Sequence, residues 1–590
     1  MASARPSRLR FPERKSQHLK SLTATPPPPS SLQRFLPWLS GYGRGDARSD
    51  AVAGTTLAAY AVPSSIAYAQ LAGMPVANGL YCYLFAGLAY ALFGTSRQLA
   101  VGPTSAVALT LASTLGAIAA SDPVRYAALA STTALFVGLI SLGAWAMRWG
   151  GIVHFISETV LTGFKIGAGL VIAASQFPML LGIPRSGHDF SGALAGLAQN
   201  ILHAHLPSLV LGVAALALLV TGQMKRPGWP VSLMTVALAI ALMYVPGIDE
   251  LGIATVGSIP SGPPGFSIPQ FDAQDLNSLL PLALACFLIA YNEGSATARL
   301  LASRHGYAVN PDRELLGLGA ANMAIALGHG FPSGGGLSQS LVNDQAGART
   351  PLAIVICSCW MAIVLLYFTG LFTRLPQPLL AALVLASVQG MFKFDELRQL
   401  RRVSTSEFVI ALVTIVAVLG LGILKGVLLA AVFSLAMLIR RLAQPECVLL
   451  GRFPGSNHFA SMVRYKEAQP VTGVLIFRAN AALLYFNADT VMDYMFAVIG
   501  GTKEALRLII VDMSFSTEID LSTTRMLADL ARRVRASGVD FRIAEAHWRV
   551  RELLEEEHLD SVLGDLSRSY TVADLVDDLD RPNDPREPRE

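Results

Sequence analysis

The chain predicts a polytopic α-helical membrane protein of about fourteen transmembrane segments in a 7+7 inverted repeat, followed by a soluble α/β domain. Three observations predict it. Of 590 residues, 53% are hydrophobic and only 15% charged, with a mean hydropathy of +0.49, whereas soluble domains carry ~25% charged residues. Apolar runs close to the ~20 residues that span a bilayer recur almost without pause from about 51 to 443. From about 445 the pattern changes to short β-branched runs alternating with an amphipathic stretch.

Residues 1–48 are rich in Pro, Ser and Arg, with Pro26 to Pro29 in a row and no apolar core of signal-peptide type. They read as a disordered cytoplasmic tail. In the transmembrane domain, 49–444, the apolar runs begin at 51, 80, 103, 127, 155, 199 and 229, and again at 277, 311, 337, 351, 378, 404 and 423. With the N-terminus inside, the inward loops carry Arg97, Arg148, Lys225, Arg226, Arg299, Lys393, Arg398, Arg401, Arg402, Arg440 and Arg441, among others. The outward loops carry only Arg125, Arg185, Arg374 and Lys425. This positive-inside bias places both termini in the cytoplasm of a multi-pass protein of the cell (inner/plasma) membrane, with the lipid bilayer as its surroundings. An odd number of spans per set inverts the second set relative to the first.

Net charge of +4 is too small for this length to suit nucleic acid, so no nucleic-acid partner is expected. Cys82, Cys286, Cys357, Cys359 and Cys447 form no CxxC pair, and no His cluster has metal spacing. They read as packed thiols, and neither a metal site nor a cofactor is expected. The chain has no lipase-type elbow, Walker A loop or zinc motif, and no enzymatic activity is expected.

Two helix-breaking stretches occupy matching places. Gly102-Pro103-Thr104-Ser105 opens the third run of the first set, and Gly334-Gly335-Gly336-Leu337-Ser338 the third run of the second. Each reads as a helix starting inside the membrane, where unpaired N–H groups and the positive end of the helix dipole make an anion site. In an inverted pair the two starts approach from opposite faces and meet near the midplane, with Thr104, Ser105, Ser338 and Ser340 as hydroxyl donors. The alternative is close packing of small residues. Glu293 lies well inside the apolar run from 277, where a carboxylate is expensive and is kept to pair, to carry a proton or to bind a cation. Two readings stand: a proton or Na+ coupling group, or a fixed salt bridge to Lys165, the other notable charge inside a span. Pro63, Ser64, Ser65 and Tyr68 suit a cavity wall beside a proline in the first span.

Beyond 445, Val474–Arg478, Leu508–Asp512 and Asp540–Ala544 read as strands and Ser522–Ala536 as an amphipathic helix. The soluble domain is expected over 445–578, with a disordered tail at 579–590.

These residues resemble the sulfate permease (SulP) anion transporters, which include solute carrier family 26, over Asp50 to about Val576. Asp50-Ala51-Val52-Ala53-Gly54, Ala67–Pro75 and Gly79-Leu80-Tyr81 are similar to the first-span signature. Arg304-His305-Gly306-Tyr307, with Glu314-Leu315 and Gly317–Asn322, resembles the segment between spans eight and nine. Gly336–Ser340, Val342-Asn343 and Gly347-Ala348-Arg349-Thr350 resemble the tenth-span signature. The soluble domain is similar to a STAS domain, down to Leu484–Ala488. The resemblance implies a mobile core domain and a gate domain, with the anion between the starts of spans three and ten. It implies that Ser338 and the backbone around Leu337 hold the anion, that Ser64, Tyr68, Thr104, Ser105 and Gln339 line it, and that Glu293 is the cation- or proton-coupling position. In phosphorylatable STAS proteins the matching helix start is modified, which makes Ser522 and Thr523 candidate regulatory positions; both are also ordinary helix N-terminal residues.

Two departures stand out: Ser64 follows Pro63 where many members have Gln, and Gln339 follows Ser338 where many have Arg. Loss of that cation speaks against chloride-exchanger behaviour, and Glu293 favours cation-coupled uptake. The expectation is a secondary active transporter of small inorganic anions, a homodimer taking up sulfate with H+ or Na+ by an elevator-like shift. Bicarbonate or dicarboxylate symport, or anion exchange, is the alternative. A nucleobase carrier and a non-transporting membrane sensor or scaffold are remoter.

Overall fold

The computed structural model describes residues 42–119, 122–151, 158–184, 190–225, 229–257, 262, 264–566 and 568–580. Most of the two expected tails, and Arg185 and Arg226 among the loop charges, lie outside these residues. The chain divides into two compact units, one ending at Ser434 and the other beginning at Leu435.

In the first unit, helix α1 (Arg44–Leu71) starts earlier than the run at 51, inside the stretch expected to be tail. The Asp46 carboxylate accepts a hydrogen bond from the Gly43 N–H at 3.0 Å and caps the helix there. Pro63 is accommodated inside α1, which continues unbroken past it. Then come α2 (Val76–Phe93), a short strand β1 (Val101–Gly102), α3 (Ser105–Ile118), α4 (Pro123–Ala146) and α5 (Glu158–Leu181). The run expected from 199 is divided between α6 (Phe190–Asn200) and α7 (Leu206–Lys225). Pro207 sits in the first turn of α7, where its missing N–H leaves no helical hydrogen bond unmade. Next are α8 (Val231–Leu242), α9 (Leu276–His305), α10 (Pro311–Leu327), strand β2 (Gly334–Gly335) and α11 (Leu337–Gln345). The unit continues with α12 (Leu352–Ile363), α13 (Gln377–Val388), α14 (Phe394–Val403), α15 (Thr405–Leu421) and α16 (Ile423–Ala443), within which the division falls. Helices α6 and α14 were not expected from the pattern of apolar runs.

Among the described residues, eight helices are long and apolar enough to cross a membrane, and α3, α8 and α15 contain shorter apolar helices. The polar content of α1 and α10 keeps them out of both groups, and α11, with nine residues, is too short for either. The helices pack in two sets. In one, α10 lies against α2 and α4, α12 against α1 and α2, and α9 against α4. In the other, α15 and α13 lie against α5, and α13 against α7. Glycine permits the closest approaches. A Cβ on Gly54 of α1 would stand 2.4 Å from the Ala353 carbonyl of α12, and one on Gly163 of α5 would stand 2.5 Å from the Ala411 carbonyl of α15. Helix α3 touches members of both sets, α1 and α9 on one side and α5 and α13 on the other.

Buried carboxylates lock the first set. Asp50, fully buried, accepts hydrogen bonds from the Arg349 N–H (2.7 Å), the Thr350 N–H (3.1 Å) and the Thr350 hydroxyl (2.6 Å). Glu314 accepts from the Tyr90 hydroxyl at 2.6 Å and the Thr95 N–H at 2.8 Å. Two motifs far apart in sequence, around Asp50 and around Thr350, are thus halves of one joint.

The second unit holds a five-stranded sheet in the order β4-β3-β5-β6-β7. Its strands are β3 (Cys447–Arg452), β4 (Phe459–Ser461), β5 (Val474–Ala479), β6 (Leu508–Asp512) and β7 (Asp540–Ala544). β5, β6 and β7 run parallel, and β3 runs antiparallel to both neighbours. All five residues of β6 are buried, as a continuous apolar run in a covered parallel sheet requires. The helices are α17 (Ala488–Gly501), α18 (Leu521–Ala536), α19 (Trp548–Glu556), α20 (Asp560–Leu563) and α21 (Val572–Asp580). The last of these runs past 578, into the stretch expected to be a disordered tail.

Candidate anion site at the crossed helix starts

The two glycine-rich breaks meet. β1 and β2 pair antiparallel, Val101 opposite Gly335 and Gly102 opposite Gly334, so the chain enters this ribbon from opposite directions on its way to α3 and α11. Thr104 precedes α3 in extended conformation and Gly336 does the same for α11. Three side chains of α11 fasten the ribbon. Gln339 Nε2 donates to the Ala100 carbonyl at 3.0 Å and to that of Gly334 at 3.4 Å, while its Oε1 accepts from the Tyr83 hydroxyl. Ser340 Oγ accepts from the Ala100 N–H at 2.9 Å, and Asn343 Nδ2 donates to the Gln98 carbonyl at 3.0 Å. The amide of Gln339 is therefore committed to protein partners at both ends. Buried in the ribbon, Gln339 positions the start of α11 and does not line the cavity beside it.

The ribbon rests on α9. A Cβ on Gly335 would stand 2.9 Å from the Gly294 Cα. α9 also packs against α11, which brings the neighbouring Glu293 carboxylate within the electrostatic reach of the Leu337 N–H, one of the donors that the first turn of α11 leaves unpaired. A carboxylate here also faces the positive end of the α11 dipole. The opposite charge acting on Glu293 is Lys165 of α5, but no ion pair within 4 Å joins them among the described residues, so the fixed salt bridge is not formed in this conformation.

Ser338, the next residue of α11, is exposed to a cavity of about 660 Å³. Thr56, Tyr60, Ser64 and Tyr68 of α1 line the same cavity, with Ser387 of α13 facing them. The Tyr60 and Tyr68 hydroxyls and the Ser338 and Ser387 hydroxyls share this cavity wall, and Ser387 Oγ donates to the Val384 carbonyl at 2.7 Å. Ser64 Oγ donates to the Tyr60 carbonyl at 2.9 Å. The structure thus brings Ser64, Tyr68 and Ser338 together on one wall. Thr104, Ser105 and Glu293 are not among the lining residues. Thr104 is buried with no partner for its hydroxyl among the described residues, and Ser105 Oγ lies 3.6 Å from Met391 Sδ. Tyr60, Thr56 and Ser387 were missed by sequence reasoning. A signal existed for the first two: Thr56, Tyr60, Ser64 and Tyr68 recur every fourth residue, a polar stripe along one face of an otherwise apolar helix.

In the soluble unit, Asp520 caps α18. Its carboxylate accepts from the Thr523 N–H at 2.9 Å and the Tyr485 N–H at 2.7 Å. Burial by itself would raise the Asp520 carboxyl, but these hydrogen bonds outweigh it and hold the group below its ordinary value. Thr523 is fully buried, whereas Ser522 is exposed in the first turn of α18.

A helix start crossed with its counterpart, a carboxylate near that start and a hydroxyl-lined cavity beside it are the features that an anion site requires. Sequence comparison identifies the lineage. The model of the sulfate permease family matches residues 48–414, and that of the STAS domain matches 465–574. The chain belongs to the sulfate permease family. A probable sulfate transporter of Mycobacterium tuberculosis is 35% identical over 524 residues, covering 89% of this chain and 94% of that protein. The chloroplastic sulfate transporter 4.1 of Arabidopsis thaliana is 32% identical over 521 residues, covering 84% of this chain and 74% of the relative. In fold, the chain is similar to the murine solute carrier 26 member A9 anion transporter, with a TM-score of 0.85 at 21% identity over 98% of this chain and 100% of that one. The transmembrane domain of a cyanobacterial bicarbonate transporter gives a TM-score of 0.57 at 22% identity, covering 67% of this chain and 98% of its own. As a sulfate permease family member the chain is a multi-pass membrane anion transporter and not an enzyme.

Proposed function

We propose that the protein is a secondary active transporter that takes up sulfate together with H+ or Na+, and that Glu293 couples the two. One observation carries this reading: Glu293 of α9 lies within the electrostatic reach of the Leu337 N–H at the start of α11, and Ser338, the next residue, opens onto the cavity. An ionised Glu293 competes with an incoming anion for the same helix end. A proton on the carboxylate, or a cation beside it, releases that end. Cancelling a negative charge at a helix N-terminus changes the balance by up to about 2 kcal/mol, or as much as roughly 30-fold in affinity, within the usual range of coupling between two ligands.

The two packed sets of helices support an elevator-like shift of one against the other, and the antiparallel ribbon between β1 and β2 supports a 7+7 inverted repeat of about fourteen spans. Loop charges support cytoplasmic termini. A homodimer completes the reading, and of the two candidate regulatory positions in α18, Ser522 is the exposed one.

The test uses purified protein in liposomes, with labelled sulfate, bicarbonate and fumarate compared under imposed H+ and Na+ gradients. Sulfate should accumulate under one of the two gradients. Glu293→Gln, which removes the charge and keeps the side chain's shape, should bind sulfate yet fail to accumulate it. Accumulation equal to the parent would remove Glu293 from coupling. Preference for bicarbonate or fumarate would reassign the substrate.

A further inference from the structure

Between α13 and α15 the chain carries α14, a ten-residue helix without a single buried residue. Its apolar residues, Phe394, Leu397, Leu400 and Val403, recur every third position and fill one half of the helix circumference. Phe394 is 48% and Val403 78% exposed. Lys393 pairs with Glu396 at 3.0 Å and Arg398 with Asp395 at 3.1 Å. Arg401 and Arg402 are exposed and have no hydrogen bond or ion pair with any described residue, so two positive charges remain uncompensated on this helix.

Its place in the chain restricts where it can lie. Only Phe392 and Lys393, both outside helical geometry, separate it from the turn that ends α13, and only Ser404 separates it from α15. It packs against α15 and α5, and Glu396 accepts a hydrogen bond from Thr162 of α5 at 3.2 Å. A helix tethered this tightly to apolar membrane helices stays at their ends, where hydrocarbon gives way to headgroups. There an amphipathic helix with unpaired arginines meets complementary charge in acidic phospholipid.

We propose that α14 is an interfacial helix that binds anionic phospholipid, with Arg401 and Arg402 on the headgroup phosphate and the half bearing Phe394 and Val403 against the acyl chains. This rests on the membrane reading of the chain but not on which ion it carries.

The full chain is purified in mixed phosphatidylglycerol and phosphatidylcholine, and retained lipid is counted by native mass spectrometry, without any transport readout. The parent should prefer phosphatidylglycerol. Arg401→Gln/Arg402→Gln should lower that preference about thirtyfold, from the electrostatic gain per basic residue near an acidic surface. Arg401→Lys/Arg402→Lys should retain most of it, and rising salt should release the lipid from the parent, which keeps the test available if the glutamine variant does not fold. The matched pair Arg440→Gln/Arg441→Gln should leave the preference unchanged. Equal retention in parent and Arg401→Gln/Arg402→Gln would overturn the proposal, as would an equal loss in the Arg440/Arg441 pair. Displacement of the lipid by glycerol phosphate, which has no acyl chains, would show a free-anion site and overturn it as well.

Discussion

Gly335→Ala adds one methyl group at the point where the crossed ribbon rests on α9. The new Cβ would stand 2.9 Å from the Gly294 Cα and 2.9 Å from Leu99 Cδ1. The first neighbour is backbone and cannot rotate away, so the ribbon has to lift by roughly half an ångström or more to reach ordinary van der Waals separation. Overpacking of this kind costs about 1–3 kcal/mol. Leu337 follows Gly335 by two residues, so the lift also moves the Leu337 N–H and the start of α11 away from Glu293 of α9. If half to all of the strain falls on the bound state, sulfate affinity drops by roughly 2–150-fold. Binding to purified protein, measured by calorimetry beside a thermal melt, separates the two effects. Gly370→Ala is the control, because nothing lies within 4 Å of its added Cβ. Affinity for Gly335→Ala within twofold of that control, with a lowered melting temperature, would mean that the ribbon holds the fold together but not the anion. The reasoning that joins Gly335, Leu337 and Glu293 would then be wrong.

Ser338→Phe places a ring in the cavity shared with Tyr60 and Tyr68; sulfate binding should fall below detection while the melting temperature stays near the parent value, and normal affinity would move the site. Asp50→Ala strips the acceptor from two N–H groups and one hydroxyl at a fully buried joint. A loss of about 3–5 kcal/mol is expected in a denaturation assay, and a loss below 1 kcal/mol would refute the joint. In the soluble unit, hydrogen bonds hold the Asp520 carboxyl below its ordinary value, so its contribution is full above the unfolded value of about 3.9 and is lost as pH falls through the lower folded value. Asp520→Ala should cost about 1 kcal/mol at neutral pH and abolish the acid-dependent loss of exchange protection at the Thr523 and Tyr485 amides. An unchanged acid profile in that variant would assign the cap elsewhere.

How much of this was legible in the sequence depends on what carries the signal. Strands β5, β6 and β7 lie at, or within one residue of, the positions read from their apolar runs, because a buried parallel strand leaves no room for polar residues. Most membrane helices begin near the expected runs for the same reason. Helix α14 escaped notice since four basic and two acidic residues between Lys393 and Arg402 read as loop charge, and its apolar residues are too few for a span. The pairing of β1 with β2 is equally invisible: glycine has no β preference of its own, and the partners sit in different halves of the chain.

The site divides along the same line. Helix breaks, an intramembrane carboxylate and isolated hydroxyls are local, and they singled out Glu293, Thr104 and Ser338, of which only Ser338 lines the cavity. Orientation is not local. Gln339 adjoins Ser338, yet its side chain turns into the ribbon toward Tyr83 and Ala100 while that of Ser338 faces the cavity, since successive residues on a helix differ by about 100° in direction. The same geometry made Tyr60 recoverable from Ser64 and Tyr68, and it bears on chemistry. No arginine or lysine lines the cavity among the described residues, so an anion entering from it meets hydroxyls and the end of a helix dipole. A doubly charged anion at such a site gains most when the nearest negative charge, Glu293, is cancelled. Under the proposed coupling, the ion is therefore a condition for tight binding here as well as a source of driving force.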